Sequence, residues 1–385
     1  MQRTRAARGL MHMRRRAIVI GAGPMGIAAA IGAADRGLDV TVLERGEIGA
    51  SLRTWGPTRF FSPLHMNLSA RMRELLGDAM PDGDALLTGP EYVEKILVPL
   101  AGKLGRVRTQ MNVIAVGRRG LTRGDYAGHP LRAERPFRVL CDNDETFEAE
   151  VVLDASGGLT VPRAYGAGGL PARGESAYPA IRTLGELATR DLRGKSILVV
   201  GDGHSAANAI GFLERVPGVR VVWAVRTPNL RPCEEVPHDP LPERSAVVER
   251  ANALAASPPP FLRVERKAMI ESVARNNGHV AVALTGGRIV EADVIAAFTG
   301  YRPDARFLSE LAVEISPVTE GGARLYRAIS KVTDCLTLPK VKPADLQTGE
   351  ENFYFVGSRG YGRSRSFLLQ TGLAQLEVIL DAIAS

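Results

Sequence analysis

The chain has 385 residues, enough for two or three domains, and its 45% hydrophobic and 24% charged residues are typical of a globular protein. The net charge of +7 comes mostly from scattered arginines and aromatic residues make up only 5%, which argues against nucleic-acid binding and favours anionic small ligands. No apolar run is long enough to span a membrane, and the three cysteines form no C-x-x-C pair, so we expect a cytoplasmic protein without a local redox dithiol or metal site.

The first organised stretch is a strand, a glycine-rich turn and a helix. It follows an arginine-rich segment, residues 1–13, that we expect to be a disordered basic tail. After the apolar strand at 17–20, Gly21, Gly23 and Gly26 form a G-x-G-x-x-G fingerprint, whose glycines permit a tight turn, close approach to a pyrophosphate and close helix–strand packing. Glu44 then follows near the spacing of about 20 residues at which a carboxylate binds a ribose hydroxyl. The stretch predicts a dinucleotide site.

A loop rich in glycine, serine, proline and aromatic residues comes directly after this acid, and it contains Arg53, Trp55 and His65. Its aromatic side chains could simply anchor the core, but the position of the loop predicts that it lines the bound dinucleotide. Helices are expected at 70–76 and 90–104. Strands at 107–117, 137–141 and 148–153 then predict a β-meander that ends in the small residues of 154–158.

The same pattern returns after a loop-rich linker at 158–185. A strand at 196–200 precedes Gly201, Gly203 and Ala206, which form G-x-G-x-x-A, and a helix follows. The next strand ends at Arg226, with Arg231 nearby, where the first unit has its acid. Because arginine pairs with a 2′-phosphate, the second site favours NADP; a plain surface cation is the alternative.

The remainder of the chain completes the second unit and returns to the first. Residues 229–260 are proline-rich and are expected to be irregular, as a lid or a surface insertion. Strands at 261–273, 279–285 and 288–298 predict a second meander. A last strand at 353–357 leads into a Gly/Arg-rich loop at 358–366 and a closing helix at 367–384. The helix N-terminus and the arginines predict a positively charged pocket.

The order of these elements resembles that of the two-dinucleotide-binding-domain flavoproteins, which include thioredoxin-reductase-like oxidoreductases and flavin-containing monooxygenases. The resemblance covers roughly residues 15–385 and rests on G-A-G-P-M-G at 21–26 with Glu44, G-D-G-H-S-A at 201–206 with Arg226, D-A-S-G at 154–157, F-T-G-Y-R-P-D at 298–304 and F-V-G-S at 355–358. It implies that the first fingerprint binds FAD and the second binds NADPH. It also implies that the NADPH domain is inserted into the FAD domain.

Fingerprints and resemblance together predict two sets of cofactor-binding residues. For FAD the set is Gly21, Gly23, Pro24, Met25, Gly26, Glu44, Arg45, Arg53, Trp55, Val113, Ala155, Gly157, Gly357 and Ser358. For NADPH it is Gly201, Gly203, His204, Ser205, Ala206, Arg226, Arg231 and Gly300.

Three departures from the resembling families matter. The C-x-x-C of the disulfide reductases is absent, which argues against dithiol chemistry. The stretch 156–198 lacks the F-x-G-x-x-x-H signature of the flavin monooxygenases. Many relatives also have an aspartate where this chain has Ser358, which can form hydrogen bonds but carries no charge.

The expected fold is α/β, with two doubly wound Rossmann-like domains, each with a β-meander, and the NAD(P) domain inserted into the FAD domain. We place the first part of the FAD domain at 14–165, the NAD(P) domain at 166–290 with its insertion at 229–260, and the second part of the FAD domain at 291–385.

We expect an FAD-dependent oxidoreductase whose flavin is reduced by NADPH. Two cofactors without a dithiol favour monooxygenase-like oxidation of a small metabolite, with O2 as the candidate oxidant. The alternatives are a reductase that passes electrons to a quinone or a protein partner, and a non-catalytic nucleotide sensor. Arg53 and Arg363 are candidates to hold flavin or an anionic substrate, and His65 and Tyr361 are candidates to move protons. No metal is expected, and a homodimer remains open.

Overall fold

The computed structural model describes residues 14–276, 279–331 and 339–384; the expected basic tail and Cys335 lie outside these ranges. In chain order its strands are β1 (Arg16–Ile20), β2 (Asp39–Leu43), β3 (Val107–Arg108), β4 (Val113–Arg118), β5 (Phe137–Cys141), β6 (Thr146–Ala149), β7 (Val151–Asp154), β8 (Val161–Pro162), β9 (Ser196–Val200), β10 (Arg220–Ala224), β11 (Leu262–Glu265), β12 (Ile270–Asn276), β13 (His279–Leu284), β14 (Arg288–Ala292), β15 (Val294–Ala297), β16 (Tyr301–Arg302) and β17 (Phe353–Phe355).

The α-helices are α1 (Pro24–Asp35), α2 (Ala50–Arg53), α3 (Ala70–Leu76), α4 (Gly89–Tyr92), α5 (Val98–Leu104), α6 (Pro130–Ala133), α7 (Leu184–Ala188), α8 (His204–Leu213), α9 (Pro242–Ala256), α10 (Ala323–Ile329), α11 (Pro343–Leu346), α12 (Ser358–Tyr361) and α13 (Leu369–Ala384). A π-helical turn, Val93–Leu97, joins α4 to α5. Within the described ranges, no helix has both the length and the apolar character that crossing a membrane requires.

Five parallel strands form the first sheet, in the order β17-β7-β1-β2-β3. Its central strand, β1, is buried on both faces. Ala17 and Val19 enter the core that contains α1 and α13, whereas Ile18 and Ile20 enter the core shared with the β4–β6 meander. This burial explains the continuous apolar run, because a strand covered on both faces has no face left for polar residues.

Four parallel strands form the second sheet, in the order β11-β10-β9-β15. Ile197 and Val199 of β9 pack into a core with α8 and α9, and Leu198 and Val200 pack towards the β12–β14 meander. A parallel sheet with helices on one face and a meander on the other therefore occurs twice. The predicted α/β class is confirmed. We call the unit built on the sheet β17-β7-β1-β2-β3 the first half and the unit built on the sheet β11-β10-β9-β15 the second half.

Four of the predicted strands each contain two strands of the structure. The stretch 261–273 holds β11, which is parallel to β10, and the start of antiparallel β12. The same division, with one strand in a parallel sheet and one in a meander, occurs in three further stretches: 107–117, 148–153 and 288–298. The apolar pattern continues through each change of sheet, so its periodicity does not mark the break.

Two features change the predicted domain plan. The boundary at 290 cuts the second sheet short, because β15 lies beyond it and pairs with β9. The segment 229–260, predicted to be irregular, contains the 15-residue helix α9, which has a proline in its first turn and packs on the core beside α8. The two connections between the halves lie side by side, since β8 and β16 pair antiparallel.

A buried ion-pair network joins the first meander to the segment before β17. The Nε atoms of Arg118 and Arg132 donate to Glu350 Oε1 at 2.8 and 3.0 Å, and all three side chains are at most 5% exposed. The backbone N–H of Ala312 donates to the other carboxylate oxygen at 2.9 Å. Burial lowers the pKa of Arg118, and Glu350 opposes this shift. One carboxylate therefore pairs directly with two buried guanidinium groups.

Candidate functional site

The first glycine turn packs so closely that two of its positions have no room for a side chain. Gly21 has a φ of +100°, and a Cβ built on it would lie 2.8 Å from the carbonyl oxygen of Ala155. A Cβ on Gly26 would lie 1.9 Å from the carbonyl oxygen of Gly21. These two glycines therefore serve the turn itself and the packing of α1 against β1.

The middle glycine of the fingerprint is different, because the space around it is open. A Cβ on Gly23 would meet no atom within 4 Å, and its extended backbone suits any residue. Gly23 caps the N-terminus of α1, where no side chain accepts from the first-turn amides and Pro24 contributes no N–H. The positive end of a 12-residue helix thus borders an open space, as a bound pyrophosphate requires.

Glu44 lies beside this turn, buried to 8% exposure. One carboxylate oxygen accepts from the backbone N–H of Ala22 at 2.7 Å, and the other accepts from that of Gly46 at 2.9 Å. Each oxygen retains a lone pair, so the acid can still accept hydrogen bonds from ribose hydroxyls. Its role in binding ribose stays a prediction, and its position next to the glycine turn supports it.

The loops after β7 and β17 meet next to the first glycine turn. Asp154, at the end of β7, forms an ion pair with Arg359 at 2.9 Å, and both side chains are fully buried. The same carboxylate accepts from the backbone N–H and the hydroxyl of Ser156, at 3.1 and 2.6 Å. Ser358 Oγ accepts from the backbone N–H of Gly158 at 3.2 Å. Arg359, which sequence reasoning missed, therefore links the two loops that were predicted to contact FAD.

Several of the predicted FAD residues pack inside the first half. Met25 is buried, and its side chain fills the space beside Gly357, where a Cβ would lie 2.4 Å from Met25 Cγ. Trp55 packs against Phe60 at 5.0 Å between ring centroids. Val113 is partly buried in the core of the first meander. The other predicted residues border the turn or its strand ends: Ala155 and Gly157 follow β7, and Arg45 is exposed after β2.

The four candidate catalytic residues have separate partners in the structure. Arg53 pairs with Glu94 at 2.5 Å, and His65 lies on the surface, 3.3 Å from Asp84. Tyr361 is 2% exposed and its hydroxyl accepts from Gln375 at 2.8 Å. Tyr361 therefore belongs to the core of the first half, and its role in moving protons stays a prediction.

The fourth candidate, Arg363, lies 3.6 Å from Glu320, a carboxylate that also contacts Arg302 at 3.1 Å. It belongs to the Gly/Arg-rich loop that reaches towards the second half.

The second glycine turn repeats the geometry of the first. Gly201 has a φ of +122°, and a Cβ on it would lie 2.6 Å from the carbonyl oxygen of Phe298. Gly203 caps α8 and, like its counterpart, would place a Cβ in open space. Ala206 is fully buried against the second sheet, and the indole N–H of Trp223 donates to the Gly201 carbonyl at 2.7 Å. His204 and Ser205 begin the helix at its exposed end.

The two arginines predicted to bind a 2′-phosphate have different surroundings. Arg231 pairs with Glu235 at 2.6 Å, and Asn252 also donates to that carboxylate at 2.7 Å, so the charge of Arg231 is compensated within its own loop. Arg226 lies 3.6 Å from Asp202 and is 67% exposed. Arg226 is therefore more exposed and less closely paired than Arg231, whose side chain is 48% exposed. Gly300, with a φ of +83°, lies beside Arg163 rather than on this loop.

The first half contacts the second glycine turn directly. The ring of Phe61 meets that of His204 edge-on at 5.2 Å between centroids. Nearby, the backbone N–H of Gly185 donates to the Thr54 carbonyl at 3.2 Å, in a contact too close for a side chain on Gly56. Desolvation by the surrounding protein lowers the pKa of His204.

Two cysteines lie within the described residues, and both are buried. Cys141 is fully buried in β5, and burial raises the pKa of its thiol. Cys233 is 4% exposed, and burial raises its pKa to about 12. Burial and a raised pKa both disfavour a reactive thiolate at these two positions. In the same part of the chain, no three His, Cys, Asp or Glu side chains come together to hold a metal ion.

Comparison with known proteins identifies the family and several relatives. The family model described as pyridine nucleotide-disulphide oxidoreductase matches residues 18–77 and 131–326. Bacilliredoxin reductase Bdr from Bacillus subtilis (strain 168) is 24% identical over 313 residues, which are 79% of this chain and 82% of that protein.

Solved structures of similar fold include both reductases and an oxygenase. The bacillithiol disulfide reductase Bdr (YpdA) from Bacillus cereus has a TM-score of 0.68 at 16% identity and covers 96% of this chain and 99% of its own. L-lysine 6-monooxygenase from Pseudomonas syringae has a TM-score of 0.63 at 16% identity, with coverages of 96% and 100%. At these identities the likeness defines the fold and does not choose between the two chemistries.

Proposed function

Because this chain belongs to the pyridine nucleotide-disulphide oxidoreductase family, we propose that it is an NADPH-dependent FAD oxidoreductase whose flavin reacts directly with the final acceptor. One observation carries the proposal: the N-termini of α1 and α8, at Gly23 and Gly203, each open onto free space at a glycine turn. Both turns fit a dinucleotide pyrophosphate. The second turn also faces the first half, through the contact of Phe61 with His204.

The residues of this chain bind and orient the two dinucleotides. When bound, the nicotinamide donates a hydride and the flavin accepts it. Gly23 and Glu44 would hold the pyrophosphate and ribose of FAD, while Arg226 would bind the 2′-phosphate of NADPH. The buried pair of Asp154 and Arg359 fixes the two loops that border the first site, because neither side chain can leave its partner without burying an uncompensated charge.

The state of the thiols bears on which compound accepts the electrons of the flavin. Buried thiols of raised pKa at Cys141 and Cys233 favour direct reaction of the flavin over a thiol relay, and we place monooxygenation of a small metabolite first. Reduction of a quinone, a disulfide or a protein partner is the second candidate, favoured by the reductase named among the relatives. A nucleotide sensor without turnover is the third.

Anaerobic stopped-flow absorbance separates these candidates. Mixing the FAD-loaded protein with NADPH should bleach the flavin, because both glycine turns are intact and the halves are in contact. Oxygen is then added without substrate. A long-lived species absorbing at the violet edge of the visible spectrum supports monooxygenation, whereas immediate return of oxidised flavin supports the reductase candidate. Absence of bleaching contradicts the proposed function and favours the sensor.

Replacing all three cysteines should leave electron transfer intact. In the triple variant Cys141→Ala, Cys233→Ala and Cys335→Ala, we expect NADPH-driven bleaching and reoxidation by the acceptor to stay within about twofold of the parent, since no thiol takes part. Both rates are measured by stopped flow, and thermal unfolding of the same sample checks that the variant is folded. Normal bleaching with lost turnover of a disulfide acceptor would show a thiol relay instead.

A further inference from the structure

Two arginines from different halves of the molecule approach one carboxylate in the second glycine turn. Arg226, at the end of β10, has its Nη2 atom 3.6 Å from Asp202 Oδ2. Arg365, from the Gly/Arg-rich loop of the first half, has its Nη2 atom 3.9 Å from Asp202 Oδ1. Both arginine side chains are 67% exposed, whereas Asp202 is 16% exposed. The two exposed guanidinium groups therefore approach the two different oxygens of one carboxylate.

Positive charge exceeds negative charge around this point. Arg163 lies close by; burial lowers its pKa first, and the charges of Arg363, Arg226 and Arg365 lower it further. The carboxylate of Glu320 offsets part of this charge, but it already contacts Arg302 and Arg363. Asp239 and Glu234 also act on His204 beside this turn, but a cluster of exposed arginines is the arrangement that binds an anion.

We propose that Arg365 and Arg226 together bind the 2′-phosphate of NADPH, so that the first half supplies a second phosphate ligand to the nucleotide site of the second half. This inference rests on the proposed use of NADPH. Arginine suits the role because its planar guanidinium presents paired N–H donors that match two oxygens of a phosphate.

The distances favour these two arginines over the others nearby. At 3.6 and 3.9 Å from Asp202, neither guanidinium is within hydrogen-bonding distance of that carboxylate, so both can turn towards a ligand. Arg231, by contrast, is held by Glu235 at 2.6 Å. Both groups come within 4 Å of the same carboxylate, so they border the same part of the second glycine turn. Bound NADPH would then connect the two halves.

The test measures binding, so that it does not depend on electron transfer. The FAD-loaded parent, Arg365→Gln and Arg226→Gln are titrated by calorimetry with 2′,5′-ADP, which carries the 2′-phosphate, and with 5′-ADP, which lacks it. Each variant should bind 2′,5′-ADP at least about tenfold more weakly while 5′-ADP changes little, because a charge-assisted hydrogen bond is lost only with the first probe. Arg250→Gln is the control, since this exposed arginine of α9 pairs with Glu214 at the end of α8.

Two results overturn the proposal: unchanged binding of 2′,5′-ADP by Arg365→Gln, or equal losses for both probes. Bleaching by NADPH and by NADH is recorded for the same proteins. If the parent shows the expected binding pattern but neither nucleotide bleaches the flavin, the proposed function fails while the two-arginine site stands.

Discussion

A Gly23→Ala variant should fold as the parent does and purify without FAD. The structure leaves open space at this position and its backbone suits alanine, so the methyl group costs the protein fold little. The same methyl group would occupy the space that a pyrophosphate needs at the start of α1. The visible absorbance per polypeptide measures bound flavin, and far-ultraviolet circular dichroism with thermal unfolding measures the fold.

The matched variant is Gly203→Ala, which places the same methyl group in the second turn. It should retain FAD but lose bleaching by NADPH at concentrations that reduce the parent, because only the second dinucleotide is obstructed. Gly26→Ala provides the opposite control: its Cβ would collide with the backbone of Gly21, so we expect it to impair folding. Full flavin content in Gly23→Ala would contradict the assignment of the first turn to FAD.

Glu350→Gln should lower the free energy of unfolding by about 3–5 kcal/mol, the range found when one partner of a buried ion pair is removed. The substitution keeps the shape of the side chain, but it leaves Arg118 and Arg132 buried without the charge that compensates them. Urea unfolding followed by tryptophan fluorescence gives the loss. The first half should unfold at a lower urea concentration than the second half, because the network joins the first meander to the segment before β17.

An exposed ion pair supplies the control for this prediction. Glu377 contacts Arg36 at 2.9 Å and is 55% exposed, so Glu377→Gln should cost less than about 1 kcal/mol. Similar small losses for both variants would mean that water reaches the Glu350 network, and that its apparent burial contributes little to stability.

Local signals explain why both glycine turns could be predicted from the sequence. A strand, a glycine turn and a helix lie within one short stretch, and the residues that matter contact their sequence neighbours, as Gly26 contacts Gly21. Ala206 was predicted on the same basis. In these elements, residues that are close in the sequence are also in contact in the structure, so their spacing predicts the contact.

The features that could not be predicted depend on contacts between residues that are far apart in the sequence. Arg359 pairs with Asp154 across 205 positions, and neither the aspartate at the end of an apolar strand nor the Gly/Arg-rich loop shows from sequence that the two are partners. Likewise, Arg231 could not be distinguished from Arg226, because its partner Glu235 is held by Asn252 on a helix that was not predicted. That helix, α9, forms in a proline-rich segment because its apolar side chains complete the core beside α8.

The strand order also determines which of the two halves can complete its parallel sheet first during synthesis on the ribosome. All four strands of the second sheet have been synthesised by residue 297, whereas the first sheet waits for β17 at Phe353–Phe355. Until then β7 has an unpaired edge, and α1 lacks the covering helix α13. The half that is begun first is therefore finished last, and its open sheet edge is exposed to aggregation or chaperone binding throughout that interval.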